Sequence, residues 1–193
     1  MKRKEDEREE TGDAGPRMRE VTLHSRLVFE GKVVNLRVDT VRIPSGREAT
    51  REVVEHRGAV AMVPLLDDGR VVLVRQFRQA VGEVLLEIPA GTLNAGEEPD
   101  ECARRELREE IRYEPAKLEE MFASYLAPGY SSEMLHVFLA TELTPAEGET
   151  DEDETVEVEI LPLDKAVEMI RTGEIKDAKT ICGLLLARDW RKR

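Results

Sequence analysis

The sequence predicts an α/β (α+β) sandwich on a mixed sheet, preceded by a small N-terminal antiparallel β-sheet domain. Three observations lead there. Strand-like and helix-like runs follow one another without regular alternation, which disfavours a parallel doubly wound sheet. The 193 residues suffice for one domain with a sizeable core plus a small extra piece. Hydrophobic residues reach 40% beside 36% charged ones, the latter above the roughly 25% usual in soluble proteins.

Element by element, the chain opens with charge. Residues 1–18 carry interspersed Gly12, Gly15 and Pro16 with no apolar period, which predicts a disordered charged arm. Residues 19–57 read as short strands: Val33–Val38, Thr40–Ile43 and Glu52–His56 are rich in β-branched residues, and Pro44-Ser45-Gly46 is a turn. Three strands are barely enough for independent stability, so this piece needs support from the main domain or a sister subunit. The main domain, 58–193, begins with an apolar strand, Ala59–Leu66. Asp67-Asp68-Gly69 turns it into Val71–Val74, and Leu85–Pro89 follows before a glycine-flanked loop, Gly91–Gly96. A helix is predicted over Pro99–Ile111, since Pro99 suits a first turn and Asp100 and Glu101 suit its positive end. Strands are expected at Glu119–Leu126, Glu133–Ala140 and Val156–Pro162. Asp164 reads as the N-cap of a helix ending at Gly173, and a last helix runs over Lys179–Trp190 with Ile181, Leu184 and Leu185 on one face.

Charge narrows the function classes. There are 41 acidic and 29 basic residues, a net charge of −12, which argues against a nucleic-acid binder or an anionic-membrane binder. A small anionic substrate stays possible because a bound cation inverts the sign of a local site. Apolar runs such as Gly183–Ala187 fall far short of the ~20 residues a membrane span needs. The N-terminus has basic residues but no apolar secretory core. Cys102 and Cys182 read as two buried small hydrophobes in a reducing compartment rather than a disulfide, so a cytoplasmic protein is expected.

Chemistry concentrates between Gly91 and Ile111. On a helix, Glu106, Glu109 and Glu110 share one ~100° sector, beside an apolar stripe of Ala103, Leu107 and Ile111. Each like-charged pair costs ~0.2–0.5 kcal/mol, which Arg105, Arg108 or a hard divalent cation would relieve. Spacing alone does not separate this from an ordinary solvated helix rich in Arg and Glu.

The whole pattern does. Gly91, Glu97, Arg105, Glu106, Leu107, Glu109 and Glu110 stand at the spacings of the Nudix box, and the chain resembles that hydrolase family from about Val21 to Arg188. The resemblance implies a Nudix α/β/α sandwich. It also implies Glu106, Glu109 and Glu110 as ligands of Mg²⁺ (or Mn²⁺), joined by the Ala90 carbonyl. Gly91 and Glu97 would be supporting residues, and Arg105 would hold the glutamates, so that Arg105 and Glu109 join the catalytic set. Splitting a diphosphate needs phosphate charge neutralised and a water activated, which clustered Mg²⁺ ions do. One position departs: the box ends in Gly where this chain has Arg112, which predicts a locally remodelled helix end.

Within the family, Arg75-Gln76-Phe77-Arg78, Leu86–Gly91 and the loop Leu126–Glu133, with Pro128-Gly129-Tyr130, resemble the ADP-ribose pyrophosphatases. That resemblance implies Mg-dependent hydrolysis of ADP-ribose to AMP and ribose 5-phosphate, and a homodimer whose N-terminal strands are exchanged between subunits. Arg78, the partner's Arg51, Pro128 and Glu133 become substrate-binding candidates. The run Glu147–Glu159 holds 8 acidic residues and no basic one. It resembles the loop that supplies the catalytic base, with Glu152 or Glu154 as candidates. The competing expectations are another nucleotide sugar, such as GDP-mannose, and a non-catalytic nucleotide-binding module.

Overall fold

The computed structural model describes residues 18–148 and 155–190, and the chain divides between Glu55 and His56 into two compact units. All but Met18 of the predicted arm lies outside the described residues.

The first unit is a three-stranded sheet in the order β1 (Val21–Glu30), β2 (Val34–Arg42), β3 (Glu48–His56). β1 and β2 pair antiparallel from Val21↔Arg42 to Glu30↔Asn35. The two strands expected at Val33–Val38 and Thr40–Ile43 are therefore one, and Val21–Glu30 is a further strand. Asp39 does not break β2 because its carboxylate is satisfied in place, accepting from Ser25 Oγ at 2.6 Å and from Arg37. Every residue of β1 is exposed, including Val21, Leu23, Leu27, Val28 and Phe29.

In the second unit, one sheet has the order β7 (Ala90–Thr92), β4 (Ala59–Pro64), β9 (Met134–Pro145), β8 (Tyr113–Tyr125). Its β4–β9 pair is parallel and the others antiparallel, which makes it mixed. A second sheet runs β10 (Val156–Pro162), β5 (Arg70–Arg78), β6 (Glu83–Glu87), all antiparallel. All six residues of β4 are buried. Val60 and Met62 face Cys102, Ala103, Leu107 and Ile111 of α1 (Pro99–Ile111). Ala59, Ala61 and Val63 join the opposite cluster, with α2 (Leu163–Thr172) and α3 (Ala178–Trp190). Period-two alternation thus places helices on both faces, giving the expected sandwich. Each fully buried Val or Met here stabilises by about 1.5–3 kcal/mol relative to exposure. A Cβ on Gly183 would come within 3.0 Å of Val63 Cγ2, so α3 needs that glycine to lie close on the sheet.

Some boundaries differ from the expectation. Asp164 is not a cap: Pro162 holds the N-cap position of α2, and Asp164 sits in the first turn, where its charge suits the helix dipole. Gly173 closes α2 at φ 79°, as expected. The buried line of α3 is Thr180, Gly183, Leu184 and Ala187, with Ile181 and Leu185 only partly buried beside it. Cys102 is buried as expected, but Cys182 is exposed, because it falls on the face of α3 turned away from the sheet. At the end of α1 there is no remodelling. Arg112 itself adopts the left-handed conformation (φ 61°, ψ 41°) and its N–H bonds the Leu107 carbonyl. That one residue turns the chain directly into β8 at Tyr113, six residues before the strand expected at Glu119. Pro115 is tolerated there because β8 is an edge strand. No helix among the described residues is long and apolar enough to cross a membrane.

Candidate active site

α1 begins after Glu98 with Pro99 in its first turn and turns its apolar stripe to the sheet. That orientation carries Glu106 and Glu110 inward with it, leaving them only 8% and 7% exposed. Burial of two carboxylates demands partners. The Ala90 N–H donates to Glu110 Oε2 at 3.1 Å. Arg105 Nη1 donates to Glu106 Oε1 at 2.6 Å and to Glu109 Oε2 at 2.9 Å. Its Nε and Nη2 hold the Glu97 carboxylate at 2.8 and 3.1 Å, and Glu97 in turn accepts the Asn94 N–H at 2.8 Å. The Arg105 guanidinium beside Glu97 holds that carboxyl down to about 2, and the same carboxylates push Arg105 further above its ordinary value. Burial pushes the nearby Cys102 thiol up to about 12, so it is an inert packing group at neutral pH.

Gly91 is required by proximity. A Cβ on it would fall on the Glu106 carboxylate, so β7 and α1 approach closely only because that side chain is missing. The donors gathered here are all hard oxygens, which fits Mg²⁺ or Mn²⁺ rather than a softer metal. Among the described residues, no three His, Cys, Asp or Glu side chains stand as a ready-made ion cage. Arg105 holds two of the carboxylates and the Ala90 N–H holds the third.

Ala90 and Thr92 also form one wall of a cleft of about 480 Å³. Arg78, Asp177 and Lys179 supply its charged side, and Leu126, Ala127, Tyr130 and Glu133 line it from the β8–β9 connection. That connection is a tight turn in which the Tyr130 and Ser131 N–H groups bond the Ala127 carbonyl at 3.0 and 2.8 Å. Ser132 Oγ accepts the His56 N–H at 3.1 Å and ties the turn down.

Glu97, Arg105, Glu106, Glu109, Glu110, Ala90 and Gly91 are thus brought together, and Ala90 joins them to the cleft holding Arg78 and Glu133. Pro128 is exposed on the turn, and its neighbours rather than its own ring line the cleft. Arg51 belongs to the first unit, where its Nε donates to Glu20 Oε2 at 3.0 Å. Glu152 and Glu154 lie outside the described residues. The segment before them is anchored. The Ala146 N–H bonds the Arg112 carbonyl at 2.9 Å, and a Cβ on Gly148 would strike the Arg108 carbonyl oxygen. Sequence reasoning missed Tyr130, Glu87, Asp177 and Lys179. Tyr130 had a signal, as the aromatic of the Pro-Gly-aromatic loop. Glu87 had one too, inside the Leu86–Gly91 stretch, but its pairing with Lys179 did not, because the two meet across 92 residues.

Comparison with known proteins gives concordant findings. A family profile described as NUDIX domain matches residues 55–184, and one described as nucleoside diphosphate sugar hydrolase N-terminal domain matches residues 20–54. An ADP-ribose pyrophosphatase of Bacillus subtilis is 44% identical over 165 residues, covering 84% of this chain and 89% of that protein. A methanol dehydrogenase activator of Bacillus methanolicus is 38% identical over 169 residues, covering 86% of this chain and 91% of that protein. A solved structure described as an ADP compounds hydrolase shares the fold at TM-score 0.82 and 23% identity, covering 93% of this chain and 97% of that one.

Proposed function

The chain belongs to the Nudix family, and on that premise we propose that it hydrolyses the diphosphate of ADP-ribose to AMP and ribose 5-phosphate with Mg²⁺. One observation carries the reading. The carboxylate face of α1 reaches the cleft through Ala90, whose N–H holds Glu110 and which itself lines the cleft together with charged Arg78. Likeness to an ADP-ribose pyrophosphatase over 84% of the chain supports the substrate.

In this mechanism Glu106, Glu109 and Glu110, with the Ala90 carbonyl, would hold Mg²⁺ (Mn²⁺ would also suit), which when bound would supply neutralisation of phosphate charge and activation of a water. Arg105, bonded to both Glu106 and Glu109, orients the two carboxylates toward the same point. Glu97, kept ionised by Arg105, fixes that guanidinium against β7. Arg78 takes the diphosphate, where a planar fork matches phosphate oxygens. Pro128 shapes the turn that carries Tyr130, and Glu133 accepts from substrate hydroxyls. Glu152 or Glu154 serves as the base that takes the attacking water's proton, and the described residues that precede them, Ala146 and Gly148, lie against the end of α1.

The assembly is a homodimer with exchanged N-terminal strands. β1, exposed along its whole length with an apolar row, supports burial against a second copy, which would also bring the partner's Arg51 to the site. Free thiols at both cysteines suit a cytoplasmic setting.

The test is release of AMP or GMP from a panel of nucleotide sugars with and without Mg²⁺. AMP from ADP-ribose, dependent on the metal, is expected. A preference for GDP-mannose would replace the substrate, and no turnover of any member would leave a binding module.

A further inference from the structure

Arg78 heads a chain of polar groups, running from the cleft wall into the core, that the mechanism above does not use. Glu87, the last residue of β6, is 1% exposed. Its Oε1 accepts Arg78 Nε at 3.0 Å, and its Oε2 accepts Arg78 Nη2 at 2.8 Å. Oε2 accepts a further bond from Nζ of Lys179, in the first turn of α3. Lys179 Nζ also stands 3.1 Å from Asp177 Oδ2. That same oxygen accepts the Thr180 N–H at 2.9 Å and the Thr180 hydroxyl at 2.6 Å. Thr180 is fully buried, and its Oγ1 accepts the Ile88 N–H at 2.9 Å. The start of α3 therefore grips the strand segment Glu87–Ile88 at two adjacent residues, two positions before Ala90.

We propose that Lys179 is a positioning residue for the substrate-binding guanidinium of Arg78, acting through the Glu87 carboxylate that both cations share. The inference rests on the reading of Arg78 as a diphosphate holder. A carboxylate this buried must be fully compensated. Burial works to raise the Glu87 carboxyl, but its bonds from Arg78 and Lys179 outweigh that and hold it below its ordinary value. It is therefore an anion at neutral pH. Arg78 remains 36% exposed at the cleft, whereas Lys179 is 12% exposed and tied on two sides. The division of labour follows. Lys179 fixes the carboxylate, the carboxylate fixes the plane of the guanidinium by a two-bond fork, and the guanidinium faces the substrate. Without Lys179, the Glu87 carboxylate loses its second cation and can rotate, and the fork turns with it. Binding then weakens while the metal-bearing carboxylates of α1 stay in place.

The experiment is a double-mutant cycle on ADP-ribose hydrolysis, reading KM and kcat for wild type, R78A, K179M and R78A/K179M, with K179R and K179Q alongside. Expected is a KM rise of ~10-fold or more for R78A and ~5-fold for K179M, with kcat within about twofold for K179M. K179R, which can still bond Glu87, returns KM toward wild type. In the R78A background K179M adds less than about twofold, because its route to the substrate is gone. Two results overturn the proposal: an unchanged KM in K179M, or the same KM increment with and without Arg78, which would make Lys179 a direct substrate contact. Failure of the underlying reading shows elsewhere, as an R78A enzyme with wild-type KM. If K179M does not fold, K179Q takes its place in the cycle, since it too removes the charge.

Discussion

Arg112 occupies the left-handed basin at the end of α1, a conformation that costs a residue with a Cβ about 1 kcal/mol. Glycine would remove that cost but adds about 0.4–1 kcal/mol of unfolded-state entropy. The two largely offset, so R112G compared with R112A, which removes the same side chain, should differ in stability by less than ~0.6 kcal/mol, whereas R112V, β-branched at the same φ, should lose ~1–2 kcal/mol. Thermal or denaturant unfolding of the three variants checks this. The same arithmetic explains how the chain keeps its helix exit without the family's glycine. Gly91 is the opposite case, since there it is space rather than φ that matters. G91A pushes aside only the far end of the Glu106 side chain, so the fold should survive. A displaced ligand should nonetheless cut kcat by ~10–100-fold, read as turnover against an unchanged circular dichroism spectrum.

Among the elements, α1 was the most legible because its signals are local. Pro99, the acidic first turn and the 3–4 spacing of apolar and acidic residues specify start, length and face together. Its neighbour β7 reads as part of a loop in sequence, since three residues carry no periodicity and gain their strand pairing from β4. The sequence places the start of β8 six residues late because Glu114-Pro115 reads as a break until the edge position of the strand is known. The Arg105–Glu97 pair ties α1 to the turn before it, and its pH dependence has a definite sign. Glu97 titrates lower in the folded chain, at about 2, than in the unfolded one. Its stabilisation is thus present above the ordinary carboxylate range and is lost as pH falls from there toward 2. E97Q should flatten that part of the acid-unfolding curve, measured as Tm against pH, and leave the curve above pH 5 nearly parallel to wild type.

For the whole molecule, the −12 charge speaks against polyanions, yet its placement serves a small phosphate. Carboxylates gather on α1 beside a cleft whose own charged wall holds Arg78 and Lys179. The sandwich was legible from the irregular succession of strand and helix signals and from the family resemblance, and the unbroken apolar run of β4 agrees with a strand covered on both faces. The cleft was not, because its lining comes from five separate stretches that only the folded topology assembles. Oligomeric state belongs to this scale as well. Light scattering should give a dimer for the wild type, and L27E/F29E, which charges the exposed apolar row of β1, should give monomers with weakened ADP-ribose turnover. The α1 carboxylates are the part of the assignment on which everything else depends, and Glu110 probes them most cleanly. A glutamine oxygen at that position can still accept the Ala90 N–H, so E110Q keeps the fold while removing the anionic ligand. The measurement is AMP release from ADP-ribose in Mg²⁺ by wild type and E110Q. A loss of at least ~100-fold in kcat for E110Q, at unchanged Tm, is predicted. Turnover by E110Q at the wild-type rate would contradict the assignment of these carboxylates to the metal.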